Sequence, residues 1–167
     1  AIRACSSPHS SSGIYPENSA SFHQFATTYW TSLGRLSARD AMVSFPNIKS
    51  LEDRQFRKLK VGTIMKNRAI EPFYFKNPWS QQLNNKTVLV VHGFISSIQC
   101  QLRRQEKLFS NPAVLPNTIS WKFVRMPQCL GKQTPHKSWS ETLHAVKTAI
   151  ADSGHFDVAI IAAGSYA

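Results

Sequence analysis

The stretches KTVLVVHGF (86–94) and HFDVAIIA (155–162) decide the fold class of this chain. Residues 87–91 (TVLVV), and residues 157–162 (DVAIIA) after the leading Asp157, are continuous runs of β-branched and other apolar residues. Such runs are typical of strands buried on both faces of a parallel sheet. Residues 118–124 (TISWKFV) predict a third strand between them. Because helical patterns separate the three runs, we expect an α/β fold with a Rossmann-like parallel sheet flanked by helices and joined by right-handed crossovers.

The two segments between these strands have the apolar spacing of amphipathic helices. The first predicts a helix over 96–109, capped by one of its two leading serines. In the second, Ser138 and Glu141 form a capping box, which marks a helix start. That box predicts a helix over 139–152 with a buried side made of Trp139, Leu143, Val146 and Ile150.

The first half of the chain has weaker patterns. Residues 1–13 are Ser-rich and predict a tail, and a helix should then begin at Asn18 or Ser19 and stop at Gly34. Its apolar stripe, which we expect to face the core, is Phe22, Phe25, Ala26, Tyr29, Trp30 and Leu33. Further on we expect a strand over 41–45, a basic helix over 51–59, a strand over 61–65 and an ordered aromatic loop over 71–80 (EPFYFKNPWS).

At 167 residues the chain is long enough for one domain, which we assign to residues 14–167. It stops just past a strand end, where a ligand loop and a helix would follow, so we expect a truncated or partial domain. No apolar run reaches the about 18 residues that a membrane helix needs. The cysteines are odd in number and widely spaced, which predicts reduced thiols in the cytoplasm or an organellar matrix.

The net charge of +11 is concentrated between Arg54 and Lys137, where Glu71 and Glu106 are the only acids. Such a field attracts polyanions, either nucleic acid or an acidic protein partner. The alternative is a solvated face without a partner. The candidate polyanion-binding residues belong to the two densest clusters, namely Arg54, Arg57, Lys58, Lys60, Arg103 and Arg104.

The ends of two predicted strands carry the residues best placed for chemistry. His92-Gly93-Phe94 follows the first strand, and Gly164-Ser165-Tyr166 follows the last. An α/β-hydrolase would use an HG motif and a Ser elbow at these places, but no downstream acid or histidine completes a triad here. We therefore expect His92 and Tyr166 to border one ligand cleft, because ligands bind at the carboxyl ends of parallel strands.

Several kinds of site are absent from the sequence. There is no GxxxxGK[ST] or GxGxxG phosphate loop and no HExxH zinc motif. The D-x-D pair with which many glycosyltransferases hold a divalent ion is also missing. The sequence therefore predicts no metal site and no bound cofactor.

The segment over 71–116 resembles a bacterial family found with polysaccharide-synthesis genes, whose members are glycosyltransferases of the GT-D fold type or their relatives. The shared pattern is EPYY-x-NPWS, a strand ending in HPF, S/T-I-x-x-Q, a helix ending in LF, and LP. The matching residues are Glu71, Pro72, Tyr74, Asn77, Pro78, Trp79, Ser80, His92, Phe94, Ser97, Ile98, Gln101, Leu108, Phe109, Leu115 and Pro116. A Trp-led helix at Trp139 and a strand ending in a G-x-G-A-Y-G-like turn at 162–167 extend the resemblance.

The resemblance implies a glycosyltransferase-like domain that binds a sugar nucleotide or a glycan. His92, Ser97 and Gln101 would line the donor phosphate, and Gly164 and Tyr166 would form the neighbouring loop. The family's R-x-G-x-x-E motif is missing, and Gly93 stands where the family has proline. These departures are expected of a split gene, of a fragment, or of a catalytically degenerate copy kept for binding or structure. The alternative function is a non-enzymatic basic subunit of a large organellar or ribonucleoprotein assembly.

Overall fold

The computed structural model describes residues 13–44, 59–127, 129 and 134–167. The described ranges contain five strands: β1 (Ala41–Ser44), β2 (Thr63–Lys66), β3 (Thr87–His92), β4 (Ser120–Arg125) and β5 (Val158–Ala162). They also contain three α-helices: α1 (Ser19–Leu33), α2 (Ile95–Leu102) and α3 (Trp139–Asp152). No helix in these ranges is long and apolar enough to cross a membrane. The basic helix predicted over 51–59 lies outside the described residues except at its last position.

Three of the strands form one parallel sheet in the order β4-β3-β5. In this register Val90 of the central strand lies between Phe123 and Ile160. The prediction of three parallel strands in one sheet is confirmed, with the second and third strands shifted by one or two residues. The architecture is mixed α/β, and a complete Rossmann sheet remains a prediction.

The side chains of β3 alternate between two apolar layers, as expected for a strand covered on both faces. Leu89 and Val91 pack in the layer that contains Trp139 of α3. Val88 and Val90 pack in the opposite layer with Ile95 of α2. The two helices therefore cover opposite faces of the sheet.

This arrangement of helices creates a topological switch point. The chain passes from β3 to β4 over the α2 face, and then returns across β3 to β5 over the α3 face. Because both the direction and the face reverse, the two crossovers have the same hand. The loop after β3 leads to the α2 face, whereas Tyr166 in the turn after β5 packs in the layer on the α3 face. Such a divergence between neighbouring strands opens a crevice at their carboxyl ends.

Helix α2 differs from its prediction at both ends. It begins after Phe94, which acts as the N-cap, so the predicted serine cap is wrong. It ends at Leu102 and not at Phe109, because a 3₁₀ turn (Gln105–Lys107) follows. A second turn (Pro112–Val114) then packs against the 3₁₀ helix Trp79–Leu83. This tertiary contact requires the chain to leave the helix, against its local periodicity.

Helix α1 has the predicted ends but not the predicted environment. The side chain of Asn18 accepts a hydrogen bond from the Ser21 amide (2.9 Å), and Gly34 is the C-cap. Phe25 contacts Trp139 of α3 edge to face. The rings of Phe22, Tyr29 and Trp30 are exposed, so the expectation that the whole stripe faces the core is wrong. Among the described helices, α3 packs against α1, and this packing involves the ring of Phe25 but leaves the other three rings exposed.

The remaining expectations concern α3 and the short strands. Ser138 Oγ accepts a hydrogen bond from the Glu141 amide (3.3 Å), and Trp139 and Val146 are buried, as predicted. Strands β1 and β2 pair with each other in a separate parallel ladder. Gly62, just before β2, lies so close to Ala38 that a Cβ added to Gly62 would be 1.9 Å from the carbonyl oxygen of Ala38.

Candidate functional site

The three parallel strands end at one edge of the sheet and place two basic side chains beside each other. His92 ends β3, Arg125 ends β4, and their Cα atoms are partners in the register. Ala162 of β5 is the partner of His92 on the other side. By strand alternation His92 lies on the face of Val88 and Val90, which is the face that α2 covers.

The imidazole of His92 has a defined orientation. Its Nδ1 accepts a hydrogen bond from the backbone amide of Phe94 (2.9 Å). In the neutral ring the proton therefore resides on Nε2, which can donate to a ligand. The side chain is partly exposed, so such a ligand can reach it.

Arg125 and the first turn of α2 complete a group of donors that we call the carboxyl-edge cluster, defined as His92, Ser96 and Arg125. Arg125 Nη2 donates a hydrogen bond to Ser96 Oγ (2.6 Å) across the sheet edge. The N-cap residue Phe94 offers no side-chain acceptor to the amides of the first turn. Amides at a helix start, together with a guanidinium, are the donors that bind phosphate and carboxylate groups in proteins.

The other residues predicted for the ligand site lie in different surroundings. Ser97 and Gln101 line an apolar groove of about 370 Å³ on the α2 face of the sheet. Gln101 Oε1 also accepts a hydrogen bond from Arg104 Nε (2.9 Å). Gly164 is exposed in the turn after β5, with a φ of +56° that suits glycine.

Tyr166 follows the same edge but is enclosed. Its exposed fraction is 7%, and its hydroxyl donates to the carbonyl oxygen of Gly13 (2.6 Å). Its ring lies 6.0 Å from that of Trp139, in the apolar layer on the α3 face. The structure thus brings His92 and Gly164 to one edge, while the hydroxyl of Tyr166 lies in the interior and bonds to Gly13.

A buried polar cluster surrounds this tyrosine, and sequence reasoning missed it. The hydroxyls of Tyr15 and Thr142 form a hydrogen bond, and His136 Nδ1 lies 2.8 Å from Thr142 Oγ1. Burial, with the neighbouring Cys129, raises the pKa of Tyr166; burial also raises that of Tyr15, partly offset by its bond to Thr142. No sequence signal identifies this cluster, because its members are far apart along the chain.

The predicted polyanion-binding residues are only partly described. Lys60, Arg103 and Arg104 are exposed, whereas Arg54, Arg57 and Lys58 lie outside the described residues. Cys100 is exposed and Cys129 is buried, and both are free thiols. Within the described ranges no group of three or more His, Cys, Asp or Glu side chains could hold a metal ion.

Comparison with known proteins gave no family, relative or structural neighbour for this chain: no family model, no curated protein and no solved structure matches it.

Proposed function

We propose that this chain binds a sugar nucleotide, with the diphosphate held by the carboxyl-edge cluster. The observation that carries the proposal is the hydrogen bond between Arg125 and Ser96 at the carboxyl edge of the sheet. That bond fixes a guanidinium beside the free amides of the α2 start and beside the imidazole of His92. Such a set of donors suits two adjacent phosphate groups better than a single neutral ligand.

The resemblance to GT-D-type glycosyltransferases supports the sugar nucleotide as the ligand class. It matches at His92, Phe94 and Ser97, which belong to this edge or to the first turn of α2. Because β5 lies beside β3, the exposed Gly164 in the turn after β5 would border the same crevice from the other side.

We expect binding with little or no sugar transfer. Residues 93–94 after β3 and 163–167 after β5 include no Asp or Glu side chain that could act as a base or hold a divalent ion. Turnover of a nucleotide sugar by this chain at ordinary enzyme rates would contradict this part of the proposal.

The proposal is tested by calorimetric titration with uridine diphosphate glucose, inorganic pyrophosphate and glucose. We expect the first two to bind and glucose to leave this edge unoccupied. Arg125→Ala should weaken pyrophosphate binding about tenfold, because it removes a charge-assisted hydrogen bond. Arg103→Ala, an exposed arginine at the opposite end of α2, is the matched control and should leave the affinity unchanged. Equal losses in both variants would reduce the effect to net charge and overturn the proposal.

The competing function, a basic subunit of a nucleic-acid assembly, predicts a different pattern. RNA would then be retained at low salt, and Arg103→Ala and Arg104→Ala would weaken retention more than Arg125→Ala. That result would identify the exposed cationic residues at the end of α2, and not the carboxyl edge, as the binding site.

A further inference from the structure

The opposite, amino edge of the three-stranded sheet carries a groove of about 380 Å³ with a different chemistry. We call it the amide groove after its polar lining residues, which include Gln81, Asn84, Gln105, Glu106 and Asn117. Phe109 and apolar residues of the segment 112–116 form the rest of its walls. These residues come from the segments just before β3 and β4 and from the turn after α2. Because α2 runs back from the carboxyl edge, its end and the starts of both strands meet there.

The walls of the groove are fixed by hydrogen bonds between the segments. Ser80 Oγ is buried and donates to the carbonyl oxygen of Val114 (2.7 Å). Thr118 Oγ1 donates to Asn84 Oδ1 (2.6 Å). The side chain of Asn111 donates to the Lys76 carbonyl (3.1 Å). The groove is therefore formed before any ligand arrives, which lowers the entropic cost of binding.

The groove offers polar groups that are not used within the described part of the chain. The side-chain amides of Gln81, Gln105 and Asn117 form no hydrogen bond there. A primary amide both donates and accepts, as a sugar hydroxyl does. Glu106 adds an acceptor, and no lysine or arginine lines the groove, so it lacks the positive charge that a phosphate requires.

An aromatic surface continues from the groove. The ring of Phe109, 38% exposed, stacks on Phe73 with a centroid distance of 6.4 Å and an interplanar angle of 11°. The ring centroids of Tyr74 and Phe73 are 4.4 Å apart, and the Arg68 guanidinium lies 4.1 Å from the Tyr74 ring centre. Exposed rings beside polar donors can cover the apolar C–H face of a pyranose while the amides bind its hydroxyls.

From the amide lining, the missing cations and the aromatic surface we infer that the amide groove binds a neutral oligosaccharide. The volume lies in the range of small-ligand sites. The inference stands apart from the sugar-nucleotide proposal, because the two edges share no residue.

The test uses the full chain labelled with ¹⁵N and four disaccharides as probes: cellobiose, lactose, maltose and diacetylchitobiose. Side-chain NH₂ groups of Asn and Gln give their own NMR signals. We expect at least one disaccharide to shift those of Gln81, Gln105 and Asn117 with millimolar affinity, and to leave Gln82 unmoved, since Gln82 does not line the groove.

Two variants with matched controls assign the site. Gln81→Ala and Phe109→Ala should each weaken disaccharide binding about fivefold or more. Gln82→Ala and Phe75→Ala should bind as the natural chain does, because both are exposed residues of the same types outside the groove. Should Phe109→Ala fail to fold, the Gln81→Ala variant alone tests the site, because Gln81 is exposed.

Three outcomes would overturn the inference. The first is that none of the four disaccharides moves the groove signals. The second is that a disaccharide binds with equal strength to Gln81→Ala and Gln82→Ala. The third is that a short oligouridylate shifts the groove amides more than any disaccharide, which would make the ligand a nucleic acid.

Discussion

The two edges of the three-stranded sheet differ in charge and in donor type, although only strands of five or six residues separate them. The carboxyl edge presents Arg125, His92 and the free amides of a helix start. The amino edge presents neutral amides, one carboxylate and a phenyl ring. In a parallel sheet all strands start at one edge and end at the other, so each edge collects its own set of loops and can acquire its own ligand chemistry.

Both edges depend on β3, and the largest effect should come from its core. Leu89 is fully buried at the centre of the sheet. Leu89→Ala should lower the free energy of unfolding by about 2–5 kcal/mol, because it leaves a cavity. Urea unfolding measures the loss, and binding at both edges should disappear together. The control is Ile161→Ala on β5, where the side chain is exposed and the loss should be much smaller.

Two serines can separate the edges. Ser80→Ala should cost about 1–3 kcal/mol of stability, since it removes the partner of a buried carbonyl and loosens the amide groove. Ser96→Ala should change stability by less than about 0.5 kcal/mol, because its hydroxyl is exposed, but should weaken pyrophosphate binding. Thermal unfolding and calorimetry of both variants check this. Identical profiles for the two variants would mean that the edges are not independent.

Alkaline pH should act on neither ligand edge directly but through the buried polar cluster on the α3 face, which contains Tyr15 and Tyr166. Burial raises the pKa of both phenols in the folded state, whereas in the unfolded chain each ionises at about pH 10. Their contribution to stability is therefore complete below about pH 10 and is lost as the pH rises towards the folded-state pKa, by at most about 1.4 kcal/mol per pH unit for each group. Urea unfolding at several alkaline pH values should show this decline, and Tyr166→Phe should make it shallower. An unchanged slope in Tyr166→Phe would contradict the assignment.

The smallest expected effect is on salt dependence, and it compares the edges directly. Raising the salt from about 0.05 M to about 0.5 M should weaken pyrophosphate binding severalfold by screening. Disaccharide binding should hardly change, because the amide groove contains no cation. Calorimetry and NMR titration at the two salt concentrations give the measurement. A steep salt dependence for the disaccharide would remove the distinction between the edges.

Local sequence determined the three strands of the parallel sheet and the caps of α1 and α3, but not the cap of α2. Residues 87–91 (TVLVV) form a continuous β-branched and apolar run, which is typical of a strand covered on both faces. The caps at Asn18 and Ser138 follow from side-chain oxygens placed at helix starts. These features depend on neighbours within a few residues, and so they can be predicted without the fold. His92 could also be placed at the carboxyl edge, because it ends a strand.

Tertiary structure alone decided what surrounds those elements. It ended α2 at Leu102 and exposed the ring of Trp30, because packing partners and not periodicity settle where a helix stops and which face is covered. It paired Arg125 with Ser96 and Tyr15 with Thr142. It also assembled the amide groove from segments that come together only when two strands start side by side. Contacts between residues far apart along the chain carry no local pattern, and so only the folded chain reveals them.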